Sequence, residues 1–231
     1  MRPVERGELP TDSNGNPIAF SRYQQARGAL IQRMGEYCSY CEVRLSASLA
    51  VEHVQPKDHR PDRALDWGNF LLACTNCNST KGATPIQLSD YFWPDQDNTF
   101  RAIAYREGGR VRTAADLSHD EKAKADGTIQ LTGLDKEPRN DPEMKDRRWQ
   151  NRRECWDVAQ RMREKLSRNN NDDFREVIVS NAAGRGFWGV WMTVFRNDPD
   201  MRNRLIRAFP GTATNSFDAQ GGPVPRPGGQ I

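Results

Sequence analysis

The chain has no long apolar run: nothing in its 231 residues approaches the ~20 consecutive apolar residues of a membrane span, and a soluble protein is expected. It has little net charge. At +3 the balance is too small to imply a nucleic-acid partner by itself, so local clustering has to carry that argument. It also lacks an apolar stretch at its start, where Met1 leads into Arg2, Pro3, Glu5 and Arg6, so no secretory signal is expected and the cysteines are assigned to a reducing cytoplasm. No internal repeat is visible.

What the chain does have is a pair of Cys-x2-Cys turns, Cys38/Cys41 and Cys74/Cys77, taking up four of its five cysteines. Two such turns are the usual way to deliver four thiolates to a tetrahedral zinc, and in a reducing compartment they point to metal rather than to two disulfides. The pairs stand farther apart than the roughly 15–20 residues of a zinc ribbon, which leaves room for a further structural unit between them. Cys155 is left over and reads as a buried helical thiol.

Composition allows one large domain or two small ones. Residues 1–20, with Pro3, Pro10, Gly15 and Pro17, suggest an extended arm that lies on another element rather than an independently folded unit. A helix capped at Ser21 follows, carrying Tyr23, Ala26, Leu30 and Met34 on one stripe and ending at Gly35. Between the knuckles the expected order is a strand over 48–54, a polar loop, a return through Trp67 to Leu72, and a short helix from Thr75 to Lys81 stopped by Gly82. Residues 86–135 give strand or extended pieces at 92–94 and 100–105, a turn at Gly108-Gly109, a return at Val111 and a helix over 117–125. From Pro142 a long helix with Trp149, Trp156, Ala159, Met162 and Leu166 on one stripe opens a helical region, with further helices at 174–182, 187–195 and 201–209. The arginines of that long helix are offset by Asp146, Glu154, Asp157 and Glu164 and read as a solvated face. The organisation expected is thus an arm (1–20), a core with both knuckles (21–90), a mixed then mainly helical region (91–210) and a disordered Gly/Pro-rich tail (211–231).

Glu52 and His53 between the knuckles, with Asn78 directly after the second, meet the needs of metal-assisted phosphodiester hydrolysis. Glu52 and Asn78 offer the oxygen ligands that Mg2+ or Mn2+ prefer, and His53 is the base for an attacking water. On an extended strand Glu52 and His53 point to opposite faces unless the strand ends there, which Pro56 allows. Lys57 and Lys81 are candidate phosphate contacts, although Lys81 could equally serve only to end its helix. His59 and His119 read as surface residues.

With both knuckles, Glu52-His53, Pro56-Lys57, Asn69 before Phe70-Leu71 and Cys77-Asn78 with Lys81, the stretch from Tyr37 to Gly82 resembles the zinc-containing HNH endonucleases. The resemblance implies an α+β fold built on a zinc-stapled ββα-metal core, with an N-terminal helix and a mainly α-helical C-terminal region. It implies Zn2+ on the cysteines, a catalytic Mg2+ or Mn2+ on Glu52 and Asn78, His53 as the base, and Asn69 fixing the loop that presents it. Glu52 stands where Asp is commoner, and Asn78 where many members have His, which leaves the metal preference open. Arg2-Pro3-Val4, the Glu-His-x-x-Pro-Lys run and Leu131-Thr132-Gly133-Leu134-Asp135 resemble more narrowly the HNH subunits of Septu-type, sometimes retron-associated, anti-phage systems. Those subunits work beside an ABC/SMC-like ATPase, which implies such a partner here and a nucleic acid substrate, DNA ahead of RNA. The competing reading is a non-catalytic zinc module that binds nucleic acid or a protein. A third is a regulatory subunit that cuts only within a complex. Part of the aromatic cluster Gly186 to Trp191 is expected to stand exposed in the isolated chain as a protein-binding patch, which the implied ATPase partner would cover.

Overall fold

The computed structural model describes residues 1–138, 143 and 145–231 and is a mixed α and β structure with two small antiparallel sheets. A 3-10 turn (Tyr23–Ala26) runs into α1 (Arg27–Met34), and Gly35 closes it at φ 75. Ala26, Leu30 and Met34 form its buried stripe, as the periodicity predicts. The 3-10 turn that precedes it is capped at Arg22 rather than Ser21: Gln25 reaches back to the Ser21 and Arg22 amides.

The central unit is a hairpin of β1 (Leu49–His53) and β2 (Phe70–Cys74), with α2 (Thr75–Lys81) packed against it. In this register Glu52 faces Leu71 across the ladder and His53 faces Phe70. Cys74 caps α2 through its own sulfur, which accepts from the Cys77 amide, and Gly82 ends the helix at φ 54.

After α3 (Thr99–Ala102) comes the second hairpin, β3 (Ile103–Arg106) and β4 (Arg110–Thr113), turning at Gly108-Gly109 as expected. α4 (His119–Thr132) opens with a capping box between Ser118 and Glu121 and runs on through Ile129 to Leu131, past the end that the sequence predicts. The long helix is α5 (Arg148–Arg168); its expected start, Pro142, lies outside the described residues. α6 (Asp172–Arg185), α7 (Trp188–Val194) and α8 (Pro199–Ala208) follow.

Two expectations are corrected, the exposed aromatic cluster and the disordered tail. The cluster at 186–191 is not an exposed patch: Phe187, Trp188 and Trp191 are buried, because α7 packs between α5, α8 and β3. The arm at 1–20 lies on other elements, as expected, with Val4 bridging Thr212 and the Arg2 guanidinium donating to the carbonyls of Met34, Phe209 and Pro210. The tail at 211–231 is ordered too. Asn98 donates to the carbonyls of Ser216 and Val224, and Ile231 is buried, so backbone hydrogen bonds to a buried amide supply what the tail lacks in apolar pattern. No helix among the described residues is long and apolar enough to cross a membrane.

Candidate active site and metal centre

The first knuckle is a tight turn: the Glu42 amide donates to the Cys38 carbonyl, the Cys38 amide to the Val43 carbonyl, and Glu42 adopts φ 66. The Ser39 amide donates to the Leu72 carbonyl, which hangs this turn on β2 next to the second knuckle. The four sulfurs of Cys38, Cys41, Cys74 and Cys77 consequently lie within 4.8 Å of one another, all buried. Cys41 Sγ and Cys74 Sγ are 3.6 Å apart, far beyond a disulfide and close to the about 3.8 Å edge of a tetrahedron with metal–sulfur bonds of about 2.3 Å. Burial pushes the Cys41 and Cys77 thiols up, so four buried thiolates need a cation to offset them. The donor set fits a tetrahedral metal.

The end of β1 presents its two polar residues to opposite sides, as strand alternation requires. Glu52 turns toward α2. Its carboxylate is 5% exposed, and Lys81, 1% exposed, places its ammonium 2.8 Å from Oε1. The ammonium lies out of hydrogen-bond alignment with that oxygen and donates instead to the His53 carbonyl at 2.8 Å. Burial raises the Glu52 carboxyl while the neighbouring Lys81 charge pulls it down. The expected phosphate contact at Lys81 is therefore corrected: the residue is a buried counter-ion to Glu52. Residues three apart on a helix are neighbours, so Asn78 stands beside Lys81 on α2, half-buried and with its amide bonded to no described residue.

His53 turns the other way, its ring edge-on to Tyr23 at 4.7 Å and to Phe70 at 5.2 Å. Nε2 lies 3.0 Å from the Ala64 carbonyl, which can only accept, so Nε2 carries the proton and Nδ1 keeps its lone pair. Burial holds this imidazole below the ordinary histidine range, outweighing the Ala64 hydrogen bond, and the nearby Lys57 and Lys81 charges act in the same direction. The loop that carries Ala64 is fixed by Asn69. Its Oδ1 accepts from the Gln55 amide at 2.8 Å, and its Nδ2 donates to the carbonyls of Gln55 at 2.9 Å and Arg63 at 3.2 Å. Lys57 is exposed, with Nζ 5.2 Å from the centre of the Tyr23 ring, so it stands on the His53 side of the hairpin. His59 is exposed and bonded to the Ala83 carbonyl; His119 is exposed at the start of α4.

Three contributors were not singled out from the sequence. Tyr23 flanks His53, and Arg6 from the arm donates to the Phe70 carbonyl at 2.6 Å, directly across the ladder from His53. Arg148 Nη1 donates to Cys77 Sγ at 2.7 Å. Of these, Arg6 alone had a local signal, an arginine in an arm expected to lie on another element.

Residues 38–84 match the HNH endonuclease family, so the chain carries an HNH endonuclease domain over the knuckles and the hairpin between them. Over 115 residues the chain is 39% identical to the Septu protein PtuB of Bacillus thuringiensis, an alignment that covers 46% of this chain and 44% of that protein. The matched part is therefore less than half of that relative's length.

Proposed function

We propose that the HNH domain at residues 38–84 makes this chain a metal-dependent endonuclease that hydrolyses nucleic acid phosphodiesters. The observation that carries this reading is the fixed tautomer of His53: with Nε2–H held by the Ala64 carbonyl and the ring's proton affinity lowered by burial, Nδ1 is a neutral acceptor for the proton of an attacking water. Asn69 holds that geometry by clamping both ends of the loop. Lys57 is placed to meet a phosphate on the same side. Glu52 and Asn78 would hold Mg2+ or Mn2+, which when bound steadies the phosphate and the departing 3′ oxygen. Glu52 Oε1 has no hydrogen-bond donor of its own, and a divalent ion there would compete with the Lys81 ammonium for it. The four cysteines would hold a structural Zn2+. The products carry 5′-phosphates.

The likeness to a Septu protein supports a place in anti-phage defence; an ABC/SMC-like ATPase as the partner subunit and DNA ahead of RNA as substrate are part of the same proposal. Purified protein, alone and with the product of its neighbouring gene, is incubated with DNA and RNA in the presence of Mg2+ or Mn2+. The His53→Ala variant is expected to keep its zinc and its fold while cutting about 100-fold more slowly or worse, the scale of losing a general base. Equal cleavage by wild type and His53→Ala refutes the mechanism. A non-catalytic zinc module would cut nothing in any mixture.

A further inference from the structure

We propose that Arg148 is the charge partner of the four-cysteine centre, a positioning residue that holds Cys77 Sγ as a thiolate donor and ties the C-terminal helices to the metal. The proposal rests on reading that centre as a zinc site. Four thiolates around one divalent ion leave net negative charge, and here that charge is buried, where an uncompensated anion is costly. Backbone donors supply part of the offset, the Cys77 amide reaching Cys74 Sγ at 3.4 Å. Among the described residues, Arg148 is the one side-chain cation hydrogen-bonded to any of the four sulfurs.

The aim of its guanidinium is set from every side. Nη1 also donates to the Thr132 carbonyl at 2.9 Å, Nη2 to the Gly133 carbonyl at 2.9 Å and to Asp146 Oδ2 at 2.5 Å, and Nε to Asp146 Oδ1 at 2.9 Å. Thr132 and Gly133 end α4, where helix carbonyls have no partner in their own helix, so the planar fork caps one helix while it reaches the sulfur. Asp146 in turn accepts from Asn76 Nδ2 at 3.1 Å, in the same turn of α2 as Cys77. The end of α4, the start of α5 and the metal-bearing turn of α2 therefore meet on one buried cation, 5% exposed. A lysine could supply the charge but not the fork. Hydrogen bonds from an outer partner to a metal ligand commonly change metal affinity by about 10- to 100-fold.

The test uses the full chain loaded with zinc, with loss of zinc to a coloured chelator followed in wild type, Arg148→Met and Arg148→Lys. Arg148→Met is expected to release zinc about tenfold faster or more, with Arg148→Lys in between. In the Co2+-substituted protein, the thiolate-to-metal charge-transfer band of Arg148→Met should move to lower energy, because a sulfur without its hydrogen bond gives up an electron more readily. A folded Arg148→Met that holds zinc as wild type does, with an unshifted cobalt band, overturns the proposal and leaves Arg148 as a cap for α4. Should Arg148→Met not fold, Asp146→Asn, which loosens the guanidinium from its orienting carboxylate, is read by the same two measurements, with the same outcomes deciding. A wild-type protein without zinc would defeat the zinc reading itself, whereas a zinc-loaded protein indifferent to Arg148 defeats only this proposal.

Discussion

Replacing Lys81 by Met removes the counter-charge from Glu52 and the donor from the His53 carbonyl in one step. Both partners are buried, and taking away one member of a buried ion pair costs about 3–5 kcal/mol because the other is left charged in a poor solvent. At about 2–4 °C per kcal/mol for a chain of this size, the midpoint of thermal unfolding should fall by roughly 6–20 °C near neutral pH. The loss should also depend on pH. Burial raises the Glu52 carboxyl and Lys81 pulls it down, so without Lys81 the carboxyl rises further. An acid whose folded pKa lies above its unfolded one contributes stability that is lost as pH rises from the unfolded value through the folded one, and in the variant that window reaches to higher pH. The gap between wild type and variant therefore narrows as pH falls toward the ordinary glutamate range. Glu52→Gln in the same background should recover most of the loss. Mn2+ should stabilise Lys81→Met more than wild type, since the ion no longer competes with the ammonium for the carboxylate. Urea unfolding at about pH 5 and about pH 8 decides: a loss below about 1 kcal/mol, or one identical at both, refutes the assignment of Lys81 as counter-ion.

Other consequences are equally measurable. Because burial lowers the His53 imidazole and only its neutral form accepts a proton, kcat/KM should rise with pH and level off above an inflection below the ordinary histidine value of about 6.5; an inflection above about 7 would remove His53 as the base. Gly186 has φ 77, and a Cβ there would run into the Glu42 carbonyl, so Gly186→Ala should destabilise by about 3 kcal/mol or more in urea melts, and an unchanged midpoint would show the contact is not formed. Truncation before Gly211 removes the carbonyls that Asn98 binds and uncovers Ile231's packing site, so the truncated chain should unfold at lower urea; a midpoint equal to wild type would restore the expectation of a disordered tail.

The cysteine knuckles, the hairpin between them and the helix from Thr75 to Gly82 were legible because each rests on local chemistry: paired cysteine spacing, alternation broken by Pro56, and a glycine where φ is positive. The same holds for the stripe of α1. What could not be read are the residues whose meaning lies in a partner far along the chain. Lys81 looks like an ordinary cation at a helix end until α2 is laid on β1 and Glu52 is found beneath it. Arg148 and Arg152 look like part of a charge-balanced, solvated face, yet both are buried and donate to carbonyls of distant turns. The cluster around Trp188 and Trp191 is dense in aromatics because it fills the space between three elements, and density alone does not distinguish a core from a surface patch.

These distant contacts converge on the nuclease hairpin. Two strands of five residues each are marginal alone, and a pair that short needs a further face to pack against. α2 supplies one face, and the rest of the chain supplies the anchoring. Arg6 in the arm fixes the Phe70 carbonyl opposite His53. Glu42 in the first knuckle accepts from the backbone amides of Phe187 and Gly189, while Val43 bridges Gly186, so the strained turn at φ 66 is held by the C-terminal helices. Arg148 does the same for the second knuckle through Cys77. Each knuckle is thus bonded from outside the 38–84 segment, and the position of β1 relative to α2, on which the placement of Glu52 and His53 depends, is set by the whole chain rather than by the cysteines alone.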